Sequence, residues 1–271
     1  MFPIEEFKKL RTPFYYYDTS LLRQTLKEIR INPPPNLHVH YAIKACANPK
    51  VLSIIAQEGF GADCVSGGEI QAALNAGFPA DKIVYAGVGK SDWEIDLGLE
   101  TGIFSFNVES IPELEIINHL AVLKGKKARV AFRINPNVGA HTHANITTGL
   151  AENKFGINYE LLEETINSIK ILKNVELIGL HFHIGSQILE MDDFATLCNR
   201  INEIQDNLDV TRIEKVIKKD FQIENEFLKV TFKHPQELAK NRDHEAHKNS
   251  YTSQCHDMFE KRNETLLPTN K

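Results

Sequence analysis

The chain has 271 residues, 42% hydrophobic and 25% charged, enough for one large α/β domain or two smaller ones. Its net charge of −5 argues against a nucleic-acid partner held through phosphates. No apolar run reaches membrane-spanning length and Met1–Glu6 does not read as a signal peptide, so no membrane partner is expected. Cys46, Cys64, Cys198 and Cys255 lack paired spacing, and the expectation is reduced thiols in a cytoplasmic protein.

One compositional break divides the chain. All 15 glycines lie at or before Gly185. Residues 211–271 hold 12 Lys and Arg against 10 Asp and Glu, whereas the first 210 residues hold 19 against 26. The reading is therefore an N-terminal strand and helix over 1–36, a partial barrel over 37–210, and an unrelated, weakly structured tail over 211–271.

In chain order, Thr12–Asp18 reads as an aromatic strand with Pro13 at its entry. Thr19 or Ser20 would cap the helix that follows, with Leu21, Leu22, Leu26 and Ile29 inward. Pro33, Pro34 and Pro35 would stop it. From residue 37 a rhythm sets in. Predicted strands at 37–45, 61–66, 82–87, 103–108, 128–134 and 175–184 alternate with helices near 49–58, 67–76, 91–100, 110–123, 159–172 and 191–207. Ser110 would cap the fourth of these helices, and Gly77 would end the second. Six such units with short links predict an α/β fold: an incomplete (β/α)8 TIM barrel of about six βα units, followed by a divergent, mostly polar tail. An open doubly wound sheet has the same periodicity. After Val210 the rhythm fails. Phe221, Ile223, Phe227, Leu228, Val230 and Phe232 could form one or two strands, but no pair of βα units is legible.

The stretch from His38 to Asn48 ends its strand on Lys44. A lysine at the inward end of a buried strand loses solvation, which favours the neutral amine, and a neutral amine can form a Schiff base with an aldehyde. The plain alternative is a strand-end lysine reaching water. In a parallel barrel, sites collect at the C-terminal ends of strands. That rule selects Lys44, Asp63, Ser66, Asn107, Arg133, Asn135, His181, His183 and Ser186. Alternation sends His181 and His183 to one face and Phe182 to the other. Two histidines at this spacing could hold a metal, but no third ligand has evident spacing, so no metal is expected. An imidazole could instead stack on an aromatic cofactor ring, with Gly185 allowing close approach and Ser186 offering a hydroxyl. The Gly67-Gly68-Glu69 turn could favour an anion at a helix N-terminus. Equally, Ser66 and Glu69 could form a capping box.

Together these stretches resemble the barrel-type pyridoxal-phosphate decarboxylases, and among them the diaminopimelate decarboxylases. The carriers are TPFYYYD (12–18), YAIKA (41–45), GADCVSGGE (61–69), FRINP (132–136), ITTGLAENKFG (146–156) and GLHFHIGSQ (179–187). The resemblance implies pyridoxal 5'-phosphate as cofactor, Lys44 as the Schiff-base lysine and His183 as the ring stacked on it. It implies Ser186 as a hydrogen-bond partner, with Asp63, Glu69 and Arg133 around the lysine and the phosphate. It further implies decarboxylation of meso-2,6-diaminopimelate to L-lysine, and a homodimer with Lys154-Phe155-Gly156 near its contact. The tail departs from the family. A Gly-Gly-Gly phosphate loop, a Glu-x-Gly-Arg segment and a Cys-Glu-Ser motif are expected there, and Cys255-His256-Asp257 shares only a cysteine with the last. The expectation is thus a truncated decarboxylase of low activity. The competing reading is a non-catalytic decarboxylase-like binding or regulatory protein.

Overall fold

The computed structural model describes residues 3–31, 37–138, 155–186, 188–207, 221–224 and 229–232. The chain separates into two units, Met1–Pro34 and Pro35–Lys271. The motif residues 146–154, Gln187 and the Cys255 segment lie outside the described residues.

The first unit holds α1 (Ile4–Phe7) and α2 (Thr19–Arg30). Asp18, not Thr19 or Ser20, caps α2: its carboxylate accepts from the N–H groups of Ser20 and Leu21. A carboxylate there satisfies two of the orphan donors of the first turn and meets the positive end of the helix dipole. Leu26 is buried as expected, but Leu21 is 57% exposed. The aromatic segment is not a strand. Residues 14–18 have no regular structure, and no strand pairs with them among the described residues. Alternating aromatics favour extended backbone, but a strand also needs a neighbour for its N–H and C=O groups. Phe7 instead packs on Phe14 and, edge to face, on Tyr16, with centroids 5.3 and 4.9 Å apart.

The second unit is built on a parallel sheet. Its strands are β1 (His40–Ala42), β2 (Gly61–Cys64), β3 (Ile83–Tyr85), β4 (Ser105–Val108), β5 (Ala128–Asn135), β6 (Ile157–Asn158) and β7 (Val175–Phe182). β8 (Phe221–Glu224) and β9 (Lys229–Phe232) follow. The order is β1-β2-β3-β4-β5-β7-β8-β9, with β6 on β5; every pair is parallel except β8–β9. The helices between them are α3 (Pro49–Gln57), α4 (Gly67–Ala76), α5 (Asp92–Thr101), α6 (Ile111–Leu123), α7 (Leu162–Ile169) and α8 (Met191–Asn207). These are the six βα units the periodicity predicts, arranged as in a partial TIM barrel. The last two strands close antiparallel, which fits the loss of the βα rhythm after Val210.

Local chemistry explains the boundaries. Asn48 caps α3 with Pro49 at its first turn, Ser66 caps α4, and Ser110 caps α6. Ser91 and Glu94 close a reciprocal capping box on α5. The core lies between sheet and helices. Phe106, Phe132, Leu180 and Phe182 are each 2% exposed or less, and burying each such side chain contributes roughly 1.5–3 kcal/mol. A Cβ on Gly98 of α5 would sit 2.7 Å from the Phe106 ring, so Phe106 points to the helix layer. Its strand neighbours Ser105, Asn107 and, one step on, Glu109 therefore face the opposite side. Register carries that inner face across β5 and β7: Asn107 pairs with Ala131, Ala131 with Gly179, and Arg133 with His181.

The β5–β7 ladder contains an irregularity. Val130 pairs with Leu177 but Ala131 pairs with Gly179, so Ile178 is an extra residue. Without that bulge, His181 would fall opposite Ile134 and turn to the helix layer. With it, His181 shares a face with Arg133.

At the opposite end of the sheet, Gly61 leaves room for the His40 ring. A Cβ at Gly61 would meet His40 Nδ1 and lie 2.6 Å from the Lys82 carbonyl oxygen. Gly61→Ala is expected to destabilise the second unit by about 1–3 kcal/mol through overpacking against fixed backbone. Urea denaturation of the two proteins checks this; an unchanged midpoint would show that β1 and β2 can part freely.

Candidate active site

Lys44 lies just past β1, on a short helical turn over Ile43–Ala45. The strand is shorter than the alternation suggests, because the chain leaves the ladder after Ala42 pairs with Asp63. That turn buries Ile43 completely and carries the Lys44 side chain out to the rim. Lys44 is exposed, not desolvated as the strand reading required. The Lys44 charge is still felt at Glu69.

Asp63 is half-buried on β2, next to Ala42 in register. Beyond it, the α4 N-terminus is not open to an anion. Ser66 Oγ accepts from Glu69 N at 3.2 Å, Glu94 Oε1 accepts from Gly67 N at 2.6 Å, and Glu69 Oε2 accepts from Val65 N at 2.7 Å. Two protein carboxylates and the Ser66 hydroxyl already take these donors. Glu69 reaches Val65 N, one residue earlier than a capping box requires. Burial raises its carboxyl, against the pull of the Val65 N–H and of Lys44. Burial works the same way on Glu94, but donors from Gly67, Ser91 and Tyr85 outweigh it and hold that carboxyl low.

Arg133, near the end of β5, is held by Glu109: Nη1 donates to Oε1 at 2.9 Å. The pair is almost dry, with side-chain exposures of 11% and 3%. The guanidinium also lies 5.3 Å from the centroid of Phe155. Asn135, the next residue on that face, is buried and accepts from Asn137 N. His181 is fully buried on β7, and His183, one step beyond the strand, is half-buried. Ser186 is half-buried after Gly185, whose φ of +152° suits glycine. Lys44, Asp63, Arg133 and His183 thus sit at the C-terminal ends of β1, β2, β5 and β7, two adjacent pairs in one parallel sheet with β3 and β4 between them.

The sequence reading missed a neighbouring group. Lys90, between β3 and α5, is completely buried and donates to Gly87 O, Asn107 O and Glu113 Oε1 at 2.6, 2.8 and 2.6 Å. Glu113 Oε2 accepts from Glu109 N at 2.9 Å. A signal was present: Ser66-x-x-Glu69, Ser91-x-x-Glu94 and Ser110-x-x-Glu113 repeat one capping pattern at three successive helices.

An amine, a guanidinium, carboxylates, an imidazole and a hydroxyl on one strand-end rim suit an aldehyde cofactor that carries a phosphate and an aromatic ring. The class defined is a barrel-type cofactor-binding fold, and comparison with known proteins agrees. The family profile "Pyridoxal-dependent decarboxylase, pyridoxal binding domain" matches residues 20–216. The chain belongs to this family, and the cofactor that goes with the domain is pyridoxal 5'-phosphate. It is 66% identical over 215 residues to the diaminopimelate decarboxylase of Bacteroides thetaiotaomicron, covering 79% of this chain and 56% of the relative. To that of Helicobacter pylori J99 it is 43% identical over 211 residues, covering 77% and 52%. Among solved structures, Helicobacter pylori diaminopimelate decarboxylase complexed with L-lysine superposes with a TM-score of 0.73 at 39% identity, over 79% of this chain and 54% of that one. Diaminopimelate decarboxylase from M. jannaschii, also with L-lysine, gives 0.70 at 35%, over 81% and 52%. The chain therefore spans about half the length of the relatives it matches.

Proposed function

We propose that this chain is the cofactor-binding part of a decarboxylase acting on meso-2,6-diaminopimelate to release L-lysine and CO2. The observation that carries the reading is the rim itself: Lys44, Asp63, Arg133 and His183 at the ends of β1, β2, β5 and β7 of one parallel sheet, within a region that matches diaminopimelate decarboxylases. Pyridoxal 5'-phosphate, when bound, supplies an electrophilic aldehyde and a ring that accepts electrons. The residues of the chain do the rest. Lys44 presents its amine to the aldehyde from a short turn at the rim. Arg133, fixed by Glu109, offers a cation toward the phosphate side. His183 would hold the cofactor ring by stacking and Ser186 by a hydrogen bond from its hydroxyl. Asp63, on the strand paired with β1, and Glu69, whose carboxyl feels the Lys44 charge, set the electrostatic surroundings of that amine.

Substrate, homodimeric assembly and a cytoplasmic location belong to the same proposal. Among the described residues, no helix is long and apolar enough to cross a membrane. A second reading, a decarboxylase-like binding or regulatory protein, is favoured by one observation: residues 211–271 contain no glycine, where the family resemblance expects a phosphate loop. Two measurements test the proposal. Purified chain is incubated with pyridoxal 5'-phosphate, reduced with borohydride and mapped by peptide mass; then lysine release from meso-diaminopimelate is assayed. Capture with lysine release supports the enzyme. Capture without release supports the second reading, and no capture overturns both.

A further inference from the structure

The Arg133 guanidinium is fixed by a closed set of contacts that reaches well behind the rim. Glu109 Oε1 accepts from Arg133 Nη1 at 2.9 Å and from Gly87 N at 3.1 Å. The carbonyl of the same Gly87 accepts from Lys90 Nζ at 2.6 Å. Lys90 also holds Glu113, whose second oxygen takes the Glu109 N–H. The Glu109 side chain and backbone are thus gripped from two directions, and both grips lead to Lys90. Gly87 has φ of +119°, a conformation other residues rarely adopt, so the peptide that joins the two grips depends on glycine.

The energetics argue that this arrangement serves a purpose other than stability. Three charged side chains, Lys90, Glu109 and Arg133, are 11% exposed or less, and Glu113 is 12% exposed. Desolvating such groups costs several kcal/mol each, and apolar side chains of equal volume often do as well. Moreover, Glu109 Oε2 is buried without a hydrogen-bond partner. A purely structural carboxylate would be expected to use both oxygens. Glu109 instead meets Arg133 through one oxygen only, a single tether that fixes the fork without enclosing it.

We propose that Glu109 is a positioning residue, which holds the Arg133 guanidinium toward the cofactor, with Lys90 and Glu113 setting Glu109 in turn. This rests on the reading that Arg133 faces pyridoxal 5'-phosphate. Glu109 touches no reacting atom; its effect passes through Arg133. Glu109→Gln keeps the shape but removes the charge that orients the fork.

The test is a double-mutant cycle on the full chain: unaltered, Glu109→Gln, Arg133→Gln and the double variant. Each is titrated with pyridoxal 5'-phosphate for its dissociation constant, and each is melted. Glu109→Gln is expected to weaken binding about tenfold, within the coupling seen between contacting groups. In the Arg133→Gln background the same change is expected to do nothing to binding. Full additivity of the two effects would overturn the proposal, as would an unchanged dissociation constant in Glu109→Gln with a lowered melting temperature. If Arg133→Gln alone leaves binding unchanged, the placement of Arg133 fails and this inference with it, while capture at Lys44 still stands. No binding by the unaltered chain would overturn the cofactor reading itself. Should Glu109→Gln not fold, Glu109→Asp serves in its place. It keeps the charge on a shorter arm, and an equal loss in both Arg133 backgrounds would refute positioning.

Discussion

Lys44→Ala is expected to abolish covalent capture of pyridoxal 5'-phosphate. The amine sits on the turn after β1, exposed at the rim, and its charge couples to Glu69. Lys44 follows β1 on the rim where β2, β5 and β7 end in the Asp63 carboxylate, the Arg133 guanidinium and the His183 imidazole. After borohydride reduction, the peptide holding Lys44 should carry most of the label, and the alanine variant should fall to background. Equal labelling of Lys50, Lys82 or Lys124 in the unaltered chain would refute the assignment. Because the side chain is exposed, the substitution should leave stability within about 0.5 kcal/mol, so loss of label would not reflect unfolding.

The second large effect concerns Glu113. Glu113→Ala is expected to cost about 3–5 kcal/mol, because it leaves the fully buried Lys90 charge facing two carbonyls and the Tyr85 ring. Lys90→Met combined with Glu113→Leu should recover part of that loss, since a buried pair replaced by apolar groups is often close to neutral. Urea unfolding of the three proteins decides; a cost below about 1 kcal/mol for Glu113→Ala would place the pair in the range of solvated surface bridges. The pH dependence has a definite sign. Burial raises the Glu113 carboxyl, and attraction to Lys90 only partly offsets this. The folded chain therefore holds that proton more tightly than the unfolded chain. Its contribution is complete below the ordinary carboxylate range and declines as pH rises through the raised value. Glu113→Gln should remove that slope.

These two residues mark what could and could not be read in the sequence. The six βα units were legible because serines and asparagine announce helix starts and alternating apolar residues announce strands. Ser66, Ser110 and Asn48 cap where they should. The exposure of Lys44 was not legible, since alternation through Ile43 continues past the point where the ladder stops. Nor was the Thr12–Asp18 segment, whose aromatic pattern says extended but cannot say paired. Lys90 and Glu113 were missed for a different reason. A lysine between a strand and a helix ordinarily reaches water, and only three-dimensional closure of the Gly87, Asn107 and Glu113 acceptors around it shows that this one does not.

The extra residue in β7 has a consequence for how this strand tolerates changes in length. Leu177 and Gly179 already pair with consecutive residues of β5, so Ile178 is the position whose removal would leave the pairing on either side intact. Deleting Ile178 should cost the burial of one side chain, yet still present His181 opposite Arg133. Deleting Leu180 is a different lesion: it advances the phase of everything after it, directing Phe182 toward the rim and His183 toward the helices unless the bulge straightens to compensate. A deletion scan along 176–182, read out by cofactor capture, would therefore be uneven, with its most permissive point at Ile178. Loops usually absorb insertions and deletions in a barrel; here a strand carries its own slack, three residues before the first of its histidines.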